Sequence, residues 1–103
     1  MYKFVVFVET EFKDRVKDAM FAAGGGRIGN YDCCCFELPG TGQFRPLEGA
    51  NPATGERGKL EYVEEVRVEM VVGDDCIQAV VSAMKEAHPY ETPAYDVIRL
   101  EEF

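Results

Sequence analysis

The sequence predicts an α+β domain of βαββαβ order, an antiparallel sheet with two helices on one face. Three observations carry this. The chain opens on a run of β-branched and aromatic residues. Two later segments repeat their apolar residues at helical spacing. Strand-like segments lie between those helices and after the second one.

Tyr2 to Val8 (YKFVVFV) is the first strand. Thr10 then offers a hydroxyl to cap a helix. Phe12, Val16, Ala19, Met20 and Ala23 follow on one stripe of period 3.6. Gly24-Gly25-Gly26 should end that helix, because glycine accepts the left-handed conformation at the C′ position. Cys33 to Leu38 (CCCFEL) reads as the second strand, closed by Pro39-Gly40. Thr41 to Leu60 carries glycines and prolines without periodicity. It reads as a short strand near Gln43-Phe44-Arg45 followed by a long loop. Val63 to Val72 alternates Val66, Val68, Met70 and Val72 against Arg67, Glu69 and Val71, a strand with one strongly apolar face. Asp75 with Gln78 resembles a capping box for a helix carrying Ile77, Val80, Val81 and Met84. His88-Pro89 stops it, since proline disfavours helical geometry in the preceding residue. Ala94 to Leu100 is the last strand.

This order is the split βαβ, or ferredoxin-like, arrangement. With both helices on one face, the other is open. Val5 and Phe7, and Ile98 and Leu100, add a second apolar face to the first and last strands. Strands apolar on both sides belong to sheets covered on both sides. The sequence therefore predicts that a further copy supplies the missing cover, since a soluble monomer rarely exposes a large apolar patch.

A chain of 103 residues holds one domain, residues 1–103, and buries about two-thirds of its unfolded surface. The net charge of −8 is carried entirely by residues 61–103, which have eleven acids against Arg67, Lys85 and Arg99. That half would repel a phosphate backbone, so nucleic acid is not the expected partner. No apolar run approaches the ~20 residues that cross a bilayer, so a membrane is not expected either. Three of the four cysteines are consecutive and too close for an unstrained disulfide, which points to a reducing, cytoplasmic setting.

Several motifs could carry chemistry. Gly24 to Gly29 satisfies G-x-G-x-x-G, but it follows a helix and leads into a strand, the reverse of a dinucleotide site. It reads as cap and turn, with Arg27 adding a positive charge. The cysteines lack the spacing of a zinc site and read as packing residues. His88-Pro89-Tyr90-Glu91 concentrates functional side chains, with His88, the only histidine, at a helix C-terminus. One histidine and one glutamate do not complete a metal site within a chain, although repetition around an oligomer axis could. Arg45, Arg57 and Lys59 place positive charge on or beside the long loop, a contact for an anion or a partner. Ser82, the only serine, lies mid-helix without a nucleophile elbow. A Cys34–His88 pair lacks an evident third group.

Four blocks carry a family resemblance: Gly24 to Phe36 (GGGRIGNYDCCCF), Gly40 to Pro52 (GTGQFRPLEGANP), Gly58 to Glu61 with Val63 to Glu69, and His88 to Val97 (HPYETPAYDV). They resemble the domain inserted in bacterial YqfO proteins of the Nif-three-like family. The resemblance runs from first strand to last. It implies a fold similar to the CutA divalent-cation-tolerance proteins and PII signalling proteins, which assemble as trimers. CutA proteins share an H-P-Y-E block, matched by His88, Tyr90 and Glu91. The family's di-metal centre lies in flanking segments that have no counterpart here, so hydrolase activity does not transfer. Cys34 matches a family position, while Cys33 and Cys35 look like local substitutions.

The combined expectation is a stand-alone, self-associating module, a homotrimer, with no catalytic centre. Its subunit clefts would bind a small anion, a metal ion or a protein partner. The candidate ligand or interface residues are His88, Tyr90, Glu91, Arg27, Arg45, Gly42 and Gln43. The alternative is a CutA-type protein binding a divalent metal ion through His88 and Glu91, with Cys34 joining across an interface. A third reading is a small enzyme with Cys34 as nucleophile.

Overall fold

The computed structural model describes residues 1–103. Strand β1 (Tyr2–Glu9) leads through a 3₁₀ turn (Thr10–Phe12) into helix α1 (Lys13–Ala22). Strands β2 (Phe36–Phe44) and β3 (Glu61–Val72) precede helix α2 (Ile77–Ala87) and strand β4 (Tyr95–Arg99). The sheet order is β2-β3-β1-β4, and every neighbouring pair is antiparallel. This is the predicted α+β sandwich.

Alternation along the strands sets the core. Phe4, Val6 and Val8 of β1 stand opposite Met70, Val68 and Val66 of β3. All six are buried with Val16 and Met20 of α1 and Val80 and Met84 of α2. Fully burying such a side chain contributes about 1.5–3 kcal/mol, so this interior is the main source of stability. Glu37 of β2 also faces the helices. It accepts from Lys13 Nζ at 2.6 Å and Lys17 Nζ at 3.0 Å, which holds its carboxyl below the usual range and ties α1 to β2.

The glycine run ends α1 as predicted. Gly24 N–H donates to Phe21 O and Gly25 N–H to Met20 O, both at 3.0 Å, the paired bonds of a Schellman motif. Gly26 is fixed twice over. Its φ is +72°, and an added Cβ would stand 2.6 Å from Cys34 O.

Three local expectations need correction. The cysteines precede β2 and do not lie on it, with Cys33 in the left-handed region at φ 56°. The Pro39-Gly40 pair is not a turn: β2 runs through it to Phe44 and absorbs the predicted short strand. An edge strand tolerates proline because the missing N–H can face solvent. The two side-chain caps do not form either. Thr10 Oγ1 donates to Glu64 O at 3.4 Å, and the α2 N-cap is Cys76 without a capping bond. Asp74 instead pairs with the N-terminal amine.

The open face carries Lys3, Val5, Phe7 and Glu9 of β1, with their β3 partners Val71, Glu69, Arg67 and Glu65. Its outer rows add Phe36 and Leu38 of β2 and Ile98 of β4. Another copy is not needed to cover all of it. The 45–60 loop reaches one end, where Thr54 Oγ1 donates to Glu9 Oε2 at 2.8 Å. Outside the reach of the loop Phe36, Leu38 and Ile98 stay 62%, 48% and 53% exposed.

Candidate functional site

The covered end of the open face is a cleft of about 250 Å³ built from four separate segments. Phe7 of β1 and Glu65 of β3 contribute the sheet, and Gln43 and Phe44 the end of β2. Pro46, Pro52 and Thr54 come from the loop, and Tyr90, Glu91 and Thr92 from the connection between α2 and β4.

His88 holds that connection in place. Only 5% exposed, it lies beyond the end of α2, where Pro89 forces extended backbone. Its Nε2 stands 2.8 Å from Phe7 O, and a carbonyl can only accept, so the proton is on Nε2. Nδ1 is then the acceptor, taking Tyr90 N–H at 3.1 Å. Burial pushes the imidazole below its usual pKa. The Phe7 carbonyl opposes this, the Arg15 charge adds to it, and Glu9 opposes it. His88 is thus a neutral latch between β1 and the α2–β4 connection.

The buried carboxylate of Glu9 is the second fastening. One of its oxygens accepts from both Tyr90 OH at 2.6 Å and Thr54 Oγ1 at 2.8 Å. This joins β1, the loop and the connection at one point. Burial and the Glu9 bond raise the Tyr90 hydroxyl well above its normal pKa, so it remains a donor. Glu91 Oε2 accepts Asn51 N–H at 2.9 Å, a second tie between loop and connection. Arg57 Nε donates to Ala50 O at 2.7 Å and braces the loop internally.

Glu65 stands opposite Glu9 in the β1–β3 register. Burial, and then the Glu9 charge, raise its carboxyl above the usual range. Gly42 leaves room for it: a Cβ there would lie 1.9 Å from Glu65 Oε1.

No family model matches the chain. A GTP cyclohydrolase 1 type 2 homolog of Halalkalibacterium halodurans is 49% identical over 100 residues, covering 97% of this chain and 27% of that protein. The crystal structure of a Bacillus cereus protein related to NIF3 matches with a TM-score of 0.83 and 44% identity, covering 98% of this chain and 26% of that one. Over nearly its whole length the chain is similar to one domain-sized part of these Nif-three-related proteins. It spans about a quarter of the length of these relatives. CutA1 from Pyrococcus horikoshii matches with a TM-score of 0.70 at 17% identity, over 100% of this chain and 86% of that one, a likeness of fold alone.

The fold gathers some of the predicted site residues and separates others. Tyr90, Glu91 and Gln43 line the cleft, and Gly42 shapes it through Glu65. Arg45 is exposed between two lining residues, Phe44 and Pro46. Arg27 is elsewhere. Its neighbour Gly26 donates to Val71 O, and Val71 pairs with Lys3 near the start of β1, about 13 Å of strand from Phe7. Cys34, bonded to Gly26 O, lies at that same far end, so the Cys34–His88 pair does not form within one chain. The metal alternative meets a further correction. The one lone pair of His88 already accepts Tyr90 N–H, and no group of three or more His, Cys, Asp or Glu is placed to hold a metal ion. The cleft also lacks a lining cation for the small anion expected from the sequence.

Sequence reasoning missed Phe7, Glu9, Phe44, Thr54 and Glu65. Glu9 could have been noticed as the carboxylate that ends an apolar strand. Its pairing with Glu65 needs the strand register, which no local pattern supplies.

Proposed function

We propose that this chain is a self-associating binding module with no catalytic centre of its own, and that the cleft is its site. The cleft itself carries the reading. Four segments distant in sequence converge on it, and His88 and Glu9 are committed to holding it open. Ligand sites are typically concave and apolar with a few placed polar groups, as this one is. The exposed Phe36, Leu38 and Ile98 support self-association, with a trimer as the assembly that the resemblance to CutA and PII proteins implies. The enzymatic name of the longer relatives is not transferred, because the chain matches only about a quarter of their length.

Filling the cleft tests the site. Ala53 is an exposed loop residue that lines it, so Ala53→Trp should plug it without disturbing the core. In a thermal-shift screen of small fragments, we expect compounds that raise the wild-type Tm and leave Ala53→Trp unmoved. Compounds acting equally on both proteins, or none acting on either, would reject the cleft as the site.

A further inference from the structure

We propose that the cleft receives a small organic cation, a protonated amine whose apolar body packs on Phe7, Phe44 and Tyr90 while Glu65 and Glu91 take its charge. The inference rests on the cleft being a ligand site and adds the chemical class.

The lining is one-sided in charge. Of its thirteen residues, only Glu65 and Glu91 are charged, and no Lys, Arg or His is among them. Glu9 lies behind Tyr90 and Thr54 and deepens the negative potential. An anionic ligand would meet the carboxylates of Glu65 and Glu91 and no cation in the lining. A bare metal ion lacks a ligand set, while the aromatic walls suit an organic ammonium, which is attracted to ring faces as well as to carboxylates.

Glu65 is the residue that most needs such a partner. It is half-buried, faces Glu9 across the strands, and forms neither a hydrogen bond nor an ion pair. Arg67, two residues along β3, pairs through its Nε with Glu69 at 2.8 Å. Gly42 lets the Glu65 carboxylate lie against β2 where any side chain would displace it. Glu91 has spent one oxygen on Asn51 N–H and keeps the other free. A cationic ligand would relieve the unpaired charge of Glu65, which its raised proton affinity also reflects. The volume, about 250 Å³, suits a compact molecule more than a peptide segment.

The test uses three probes of nearly equal shape, followed by amide chemical shifts in ¹⁵N-labelled protein at neutral pH: 2-phenylethylamine, 2-phenylethanol and 3-phenylpropanoate. The amine should bind about tenfold more tightly than the alcohol, the worth of a charge-assisted contact in a part-buried site. The acid should bind most weakly, and Glu65→Gln should bring the amine to the level of the alcohol. Equal affinities for amine and alcohol would overturn the cation assignment and leave the cleft a site. Tightest binding of the acid would overturn it in favour of the anion. No shift around the cleft with any probe at millimolar concentration would overturn both readings. Nα-acetyl-lysine methylamide separates the sources of an ammonium: if it outcompetes 2-phenylethylamine, the site belongs to a protein's lysine and the small-molecule assignment fails.

Discussion

His88→Ala is expected to lower the stability of the domain by about 3 kcal/mol, measured as a shift of the urea midpoint. The change strands the Phe7 carbonyl and the Tyr90 N–H, and an unsatisfied buried polar group costs about 1–3 kcal/mol. His88→Gln, whose amide nitrogen can donate where Nε2 did, should recover part of the loss. The same latch makes stability depend on pH. The imidazole is harder to protonate folded than unfolded, so its contribution is present above the unfolded value of 6.5. It should be lost as the pH falls through the folded value, where the unfolded chain already holds the proton. Wild type should lose stability from pH 7 to pH 5 more steeply than His88→Gln. Equal slopes would mean that the histidine is not held neutral.

The largest effect should come from Phe4→Ala. Phe4 is fully buried on the central strand β1, between Met70 and Val97, with its ring stacked on Tyr95 at 5.8 Å. Emptying such a position costs about 3–5 kcal/mol, because the neighbouring strands cannot collapse into the space. For a domain of this size that corresponds to a Tm lower by about 20 °C. Phe4→Leu keeps most of the apolar volume and should lose far less. Similar losses for the two variants would indicate a core that repacks freely.

The difference between these two sites shows what the sequence makes legible. The Phe4 environment follows from local pattern: alternation in β1 and β3 and the period of Val16–Met20 and Val80–Met84 identify the core without coordinates. The ends of α1 and α2 were equally readable, because Gly24 and Pro89 act on their immediate neighbours. The cysteine segment was misread because CCCFEL is apolar enough for a strand, while pairing with β3 carries β2 past Pro39 to Phe44. The site was legible only in part. The HPYE block drew notice to His88, Tyr90 and Glu91, but not to their differing roles. His88 faces inward to two backbone groups, and Glu91 faces the loop. Which side chain meets Glu9 depends on contacts spanning 45 and 81 residues, beyond the reach of any periodicity.

The loop also changes the argument for assembly. Apolar residues on the second sheet face served as evidence for a neighbouring copy, yet the chain itself covers the Phe7 and Glu65 end with residues 46–54. What remains for a neighbour is the part of the face bearing Phe36, Leu38 and Ile98, with Lys3, Glu69 and Asp96 interspersed. Such a mixture of apolar and charged groups suits a surface where complementary charges set the register and apolar side chains supply the area.

Light scattering coupled to size exclusion, on wild type and on Phe36→Asp/Leu38→Asp, tests this most directly. The account predicts a wild-type mass of several chains, three for a trimer, at micromolar concentration, and dissociation of the double variant with its circular dichroism retained. A wild-type monomer, or a variant that assembles as well as wild type, would contradict it.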